Sequence, residues 1–140
     1  MRNLEKYKGV IPAFYACYDK EGNISPEGVQ GLTKYFVKKG VKGVYVNGSS
    51  GECIYQSVED RKIVLENVMK VAEGKLTVIA HVACNNTKDS QELARHAEGL
   101  GVDAIAAIPP IYFHLPEYAI AQYWNCLLYT SPSPRDPKTS

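Results

Sequence analysis

The sequence predicts an α/β fold on a parallel sheet, made of about four strand–helix units. Three observations carry this. Short apolar runs alternate with helix-period amphipathic stretches throughout residues 10–124. Strand starts recur roughly every 30 residues, the length of one strand–helix unit. Residues 76–82 are apolar or β-branched apart from His81, as expected for a strand covered on both faces. Uninterrupted alternation of this kind means a parallel sheet with crossover helices. It leaves open a doubly wound sheet or part of an eight-fold barrel.

Each unit has its own signals. Residues 10–16 read as a first strand, followed by the turn Asp19-Lys20-Glu21-Gly22-Asn23. Ser25 caps a first helix, with Pro26 at its first position and Glu27 just inside. Val29, Leu32, Phe36 and Val37 form its apolar stripe, and Gly40 ends it. Residues 41–46 are the second strand, leading into a turn at Gly48. Ser57, with Asp60 three residues on, marks the next helix start. Ile63, Val64, Val68, Val71 and Ala72 form that helix's buried face, and Gly74 stops it. After the third strand, Asn86 or Thr87 starts a helix that turns Leu93, Ala94, Ala97 and Leu100 inward. The fourth strand, residues 104–108, ends at Pro109-Pro110, and Pro116 and Glu117 open a fourth helix. Gly40-Val41-Lys42-Gly43-Val44 and Gly101-Val102-Asp103-Ala104-Ile105 are two copies of one helix-to-strand junction.

Composition narrows the function. Of 140 residues 45% are hydrophobic and 22% charged, with formal net charge +1, so neither nucleic-acid binding nor disorder is indicated. No apolar run approaches the roughly 20 residues of a membrane span. Residues 1–8 lack the apolar centre of a signal peptide, and the expected location is cytoplasmic. Cys17, Cys53, Cys84 and Cys126 follow no metal or disulfide spacing, and no metal is expected.

The chemistry-bearing segment is Tyr45-Val46-Asn47-Gly48-Ser49-Ser50-Gly51-Glu52. Glycines let consecutive backbone N–H groups face one point, and two hydroxyls add donors there, which suits a small carboxylate or phosphate. A plain Gly/Ser turn leaving a strand is the alternative. His81 on its apolar strand reads as a hydrogen-bonded core histidine, Tyr45 as a strand aromatic and Glu52 as a turn residue. His96 and His114 read as surface residues.

The decapeptide from Gly43 to Glu52, together with Ile79-Ala80-His81-Val82 and Pro110-Ile111-Tyr112-Phe113, resembles the N-acetylneuraminate lyase and dihydrodipicolinate synthase family. The likeness covers residues 10–124. Gln56-Ser57 and His81-Val82 are closer to the neuraminate lyase branch; the synthase branch usually has two threonines where Ser49 and Ser50 stand. The resemblance implies a (β/α)8 TIM barrel, of which this chain is the N-terminal half. It implies a class I aldolase, in which a lysine forms a Schiff base with pyruvate or another 2-keto acid. The lyase direction converts N-acetylneuraminate to N-acetylmannosamine and pyruvate, without metal or dissociable cofactor. It further implies that Ser49 and Ser50 bind the substrate carboxylate and that Ser49 joins a proton relay. The same resemblance implies that Tyr112 completes the relay from a neighbouring subunit of a homo-oligomer, a tetramer at full length.

The family's Schiff-base lysine lies on the sixth strand and its relay tyrosine on the fifth, neither within this chain. Lys34, Lys38, Lys39, Lys42, Lys62 and Lys70 read as solvated charges, so this polypeptide alone is expected to lack lyase activity. Residues 1–125 are expected to be the partial barrel. Residues 126–140 are expected to be a non-native or disordered tail without helix, because Pro132, Pro134 and Pro137 crowd it. The run from Cys126 to Asp136 resembles an in-frame translation of a transposon-end sequencing adapter. Other readings are dihydrodipicolinate synthase or another pyruvate-dependent aldolase, a Pro/Ser linker to a further domain, and a non-catalytic anion-binding α/β module.

Overall fold

The computed structural model of the chain describes residues 4–111 and 113–130. Local chemistry sets the helix ends. The helix α1 (Pro26–Lys39) starts where the Ser25 hydroxyl accepts the Gly28 N–H at 3.0 Å, and stops at Gly40 in the left-handed conformation, φ 77°. It leads to strand β1 (Gly43–Val46). The Ser57 hydroxyl caps α2 (Val58–Ala72) through the Asp60 N–H at 3.0 Å. Strand β2 (Thr77–His81) follows, then α3 (Thr87–Leu100), which Asn86 caps and Gly101 ends at φ 81°. Strand β3 (Ala104–Ala106) and α4 (Glu117–Thr130) complete the series.

Among the described residues the sheet has three strands, parallel and in the order β1-β2-β3. Val46 pairs with Ala80, and His81 with Ala106, so the C-terminal strand ends lie together. Each helix packs on the next, α1 on α2, α2 on α3 and α3 on α4. Strands and helices thus advance in one direction, as in a barrel. A doubly wound sheet reverses strand order at its centre.

Two expectations need correction. Residues 10–16 run parallel to β1 on its free edge but form one bridge, Ala13 to Tyr45, rather than a strand. Lys42 and Tyr45 donate to the carbonyls of Val10 and Pro12, and Phe14 donates back to Tyr45. Pro12 has no N–H to give, so the ladder cannot continue through it. At the other end, α4 continues five residues beyond Asn125, burying Leu127 beside Tyr123. Residues 126–130 contain no proline. It is Pro132 that disfavours helical geometry in the residue before it.

The core lies between the sheet and the helices. Val44, Val46, Val78, Ala80 and Val82 meet Val29, Val64, Val68, Leu93, Ala94 and Ala97, all buried. The opposite sheet face is only half covered: Tyr45 and Ile79, partners in register, are each partly exposed. Thus helices cover one face of β2 and not both; in a closed barrel the second face meets other strands. Close strand approach at the entry to β1 requires Gly43, since a Cβ there would lie 2.3 Å from the Thr77 carbonyl oxygen.

Candidate active site

The Gly48 turn leaves β1 at the end of the sheet where barrel enzymes carry their active sites. Ser49–Gly51 form one 3-10 turn, closed by hydrogen bonds from the Gly51 and Cys53 N–H groups to the Gly48 carbonyl and from the Glu52 N–H to the Ser49 carbonyl. Those bonds use the later N–H groups. The N–H groups and hydroxyls of Ser49 and Ser50 have no partner among the described residues, and both serines are exposed. These donors of Ser49 and Ser50 are therefore open to solvent at the strand end. A side chain at position 48 would force the Tyr45 ring to shift, because its Cβ would stand 2.6 Å from that ring.

Both flanks of the turn hold non-glycine residues in the left-handed conformation: Asn47 at φ 64° and Glu52 at φ 60°. Such geometry persists only where neighbours over-determine it. Glu52 accepts a hydrogen bond from the Tyr18 hydroxyl at 2.6 Å, and this contact foremost pushes the phenol above its usual range. Gln56 donates to the Gly51 carbonyl at 2.9 Å. Glu52 is thus a turn-holding residue, as the sequence suggests.

Asn47 is held by a buried ring of polar groups. Its side-chain amide donates to the Arg61 carbonyl at 3.0 Å. Its carbonyl lies 2.9 Å from His81 Nδ1. The Arg61 guanidinium in turn donates to the His81 and Ala83 carbonyls, each at 2.7 Å. Because Asn47 offers only a carbonyl, Nδ1 carries the proton, and Nε2 is free to accept the Ile108 N–H at 3.4 Å. Burial holds the imidazole below its ordinary pKa; the Asn47 carbonyl opposes this and the Arg61 charge adds to it. His81 is a neutral core histidine that links two loops.

Arg61 escapes a reading by charge alone, since it stands between Asp60 and Lys62. Helical period marks it nonetheless: position 61 shares a stripe with Val64, Leu65, Val68 and Ala72, and it is 3% exposed. Beside it is a cavity of about 220 Å³, lined by Gln56, Arg61, His81, Cys84 and Ile108 among others. The loop after β3 is pinned by the Ile111 N–H to Asn85 at 3.0 Å and by Trp124 Nε1 to the Ala107 carbonyl at 2.9 Å. Tyr112, on that loop, lies outside the described residues.

No described lysine stands on a strand. Lys6, Lys8, Lys39, Lys42 and Lys75 line a cavity that also includes Gly74 and Gly101, where the strands begin. Asp103 and Glu92 raise the pKa values of Lys6 and Lys62 by direct hydrogen bonds, the reverse of what activates a nucleophilic amine. His96 pairs with Glu66 on the outer surface, and His114 is exposed.

Residues 6–134 match the sequence profile of the dihydrodipicolinate synthetase family. The chain belongs to the dihydrodipicolinate synthetase family. Within it, the chain is 95% identical over 133 residues to an N-acetylneuraminate lyase of Mediterraneibacter gnavus, covering 95% of this chain and 42% of that protein. The Ruminococcus gnavus sialic acid aldolase, solved as a catalytic lysine mutant, superposes with TM-score 0.92 at 95% identity over 94% of this chain and 43% of that one. The N-acetylneuraminate lyase of Mycoplasma synoviae superposes with TM-score 0.91 at 33% identity over 94% of this chain and 46% of that one. The chain thus spans less than half the length of the relatives it matches. Its fold is the N-terminal half of the TIM barrel of this dihydrodipicolinate synthetase family.

Proposed function

We propose that the full-length protein, of which this chain is one half, is a Schiff-base aldolase cleaving N-acetylneuraminate to N-acetylmannosamine and pyruvate. The observation that carries it is the 95% identity, over nearly the whole chain, to a protein named for that reaction. The exposed Ser49–Ser50 turn supports it, because its N–H groups and hydroxyls, unpaired among the described residues, suit a carboxylate.

On this reading a lysine of the other half condenses with the keto carbon of the substrate, releasing water. The hydroxyl β to the imine carbon loses its proton. The bond between the α and β carbons then breaks, and its electron pair passes into the imine to give an enamine. Protonation and hydrolysis release pyruvate. Ser49 and Ser50 hold the carboxylate throughout, and Ser49 passes protons. Tyr112 completes that relay from a neighbouring subunit of a homotetramer. The exposed apolar residues Ile54, Tyr55, Ile111 and Phe113, on the two loops concerned, support a subunit contact there. Cys17, Cys53, Cys84 and Cys126 are free thiols, which supports a cytoplasmic protein. Residues 126–140 are a non-native tail on this reading, which reading the gene across codon 125 tests directly.

The functional test joins residues 1–125 to the remaining residues of the Mediterraneibacter gnavus lyase. The expected result is pyruvate release from N-acetylneuraminate by the joined barrel. A soluble, folded barrel that condenses pyruvate with another aldehyde but leaves N-acetylneuraminate intact would contradict it. Sedimentation of the same protein reads the tetramer.

A further inference from the structure

The buried groups behind the serine turn have a geometry that the proposed reaction does not itself use. Asn47, Arg61 and His81 close on one another. Asn47 donates to Arg61, the Arg61 guanidinium donates to the His81 carbonyl, and His81 donates through Nδ1 to the Asn47 carbonyl. All three are at most 4% exposed, so water does not compete for these bonds. The ring grips Asn47 on both its side chain and its main chain. That residue has φ 64° and directly precedes Gly48-Ser49-Ser50. Rotation about Asn47 would swing the serine N–H groups and hydroxyls away from a shared target. The second nitrogen of His81 accepts from Ile108, which begins the loop carrying Tyr112.

We propose that Asn47, Arg61 and His81 are positioning residues: their ring locks Asn47 left-handed and aims the Ser49–Ser50 cradle. Arg61 is the anchor, because its rigid planar fork holds the His81 and Ala83 carbonyls through separate nitrogens, a fixed geometry that the single ammonium nitrogen of a lysine does not reproduce. Where pyruvate is the ligand, this rests on the function proposed above.

The two nitrogens of His81 can be tested separately in the full-length joined barrel. An asparagine amide replaces the Nδ1 donor, while a glutamine amide reaches the Nε2 position. The first measurement is the pyruvate concentration for half-maximal borohydride trapping, with KM and kcat followed in parallel. His81→Asn should keep that concentration within about twofold of the unmodified protein. His81→Gln and Arg61→Lys should raise it, and KM, about tenfold or more, with a smaller change in kcat. A merely structural role would instead lower the active fraction at constant KM. The second measurement, hydrogen exchange of the Gly48–Ser50 amides, needs no activity. It should be faster in His81→Gln and Arg61→Lys than in His81→Asn. Equal exchange and equal pyruvate dependence in the two His81 variants would overturn the ring's role. If the unmodified barrel traps no pyruvate, the proposed function fails while exchange still judges the ring.

Discussion

Ser49 and Ser50 are exposed, and their hydroxyls make no bond among the described residues, so removing either oxygen should leave the fold untouched and weaken only the ligand. A hydrogen bond to a charged group contributes about 1.5–3 kcal/mol, so Ser49→Ala and Ser50→Ala should each weaken pyruvate binding about tenfold or more in the joined barrel, at unchanged melting temperature. Titrating pyruvate trapping in each variant checks this. His81 gives a pH prediction. Burial favours its neutral form in the folded state, so unfolding takes up a proton as pH falls through the unfolded imidazole pKa, near about 6.5. Its stabilisation is present above that pH and is lost as pH falls toward and through the lower folded pKa. Melting temperatures should therefore drop more steeply below about pH 6.5 in the unmodified barrel than in His81→Asn. At this scale the sequence marks the serine pair as a candidate, because adjacent hydroxyls between glycines suit an anion, although a plain turn can carry the same residues. It hides Arg61, whose burial follows from helical phase while its charge argues for solvent. The Asn47 ring is hidden too, since its members are far apart in the chain and only the sheet register brings them together.

The elements were legible wherever one residue's chemistry decides a boundary. Ser25, Ser57 and Asn86 accept the N–H groups expected of helix caps, and Gly40 and Gly101 take the left-handed geometry that ends α1 and α3. Boundaries failed where a run of apolar residues had to be weighed against proline. Residues 10–16 look like a strand by period, yet Pro12 leaves them a single bridge. In α4, the prolines beyond residue 131 suggest no helix from Cys126, yet a proline outside a helix restricts only the residue before it, and α4 runs to Thr130. The sharpest element-scale prediction concerns Gly43. In Gly43→Ala the new Cβ meets backbone, not a movable side chain, so β1 and β2 must part at their start. The joined barrel should lose about 2–3 kcal/mol, read as a lower denaturant midpoint with unchanged slope. An effect no larger than that of an exposed Gly99→Ala would contradict the close approach.

At the scale of the molecule, a sheet of three strands with one half-covered face is an incomplete solution to burying apolar surface. Tyr15, Tyr18, Tyr55, Ile111 and Phe113 are large and exposed, and β3 is paired only on its β2 side among the described residues. Residues in such a state invite edge pairing between chains. The isolated chain should therefore sediment as concentration-dependent assemblies; a single monomeric species with a cooperative melt would argue that it is self-sufficient. The parallel winding was legible from periodicity, but barrel closure was not. Strand–helix alternation is the same in both architectures, and only the strand order and the matches to solved barrels separate them. On the proposed function, this chain carries the carboxylate-binding half of a Schiff-base site and not its amine. Borohydride trapping with pyruvate, followed by peptide mapping, tests it most directly. A pyruvyl adduct is expected on the joined barrel, on a lysine outside residues 1–125, and none on the isolated chain. An adduct on Lys42, Lys62 or any other lysine of this chain would contradict it.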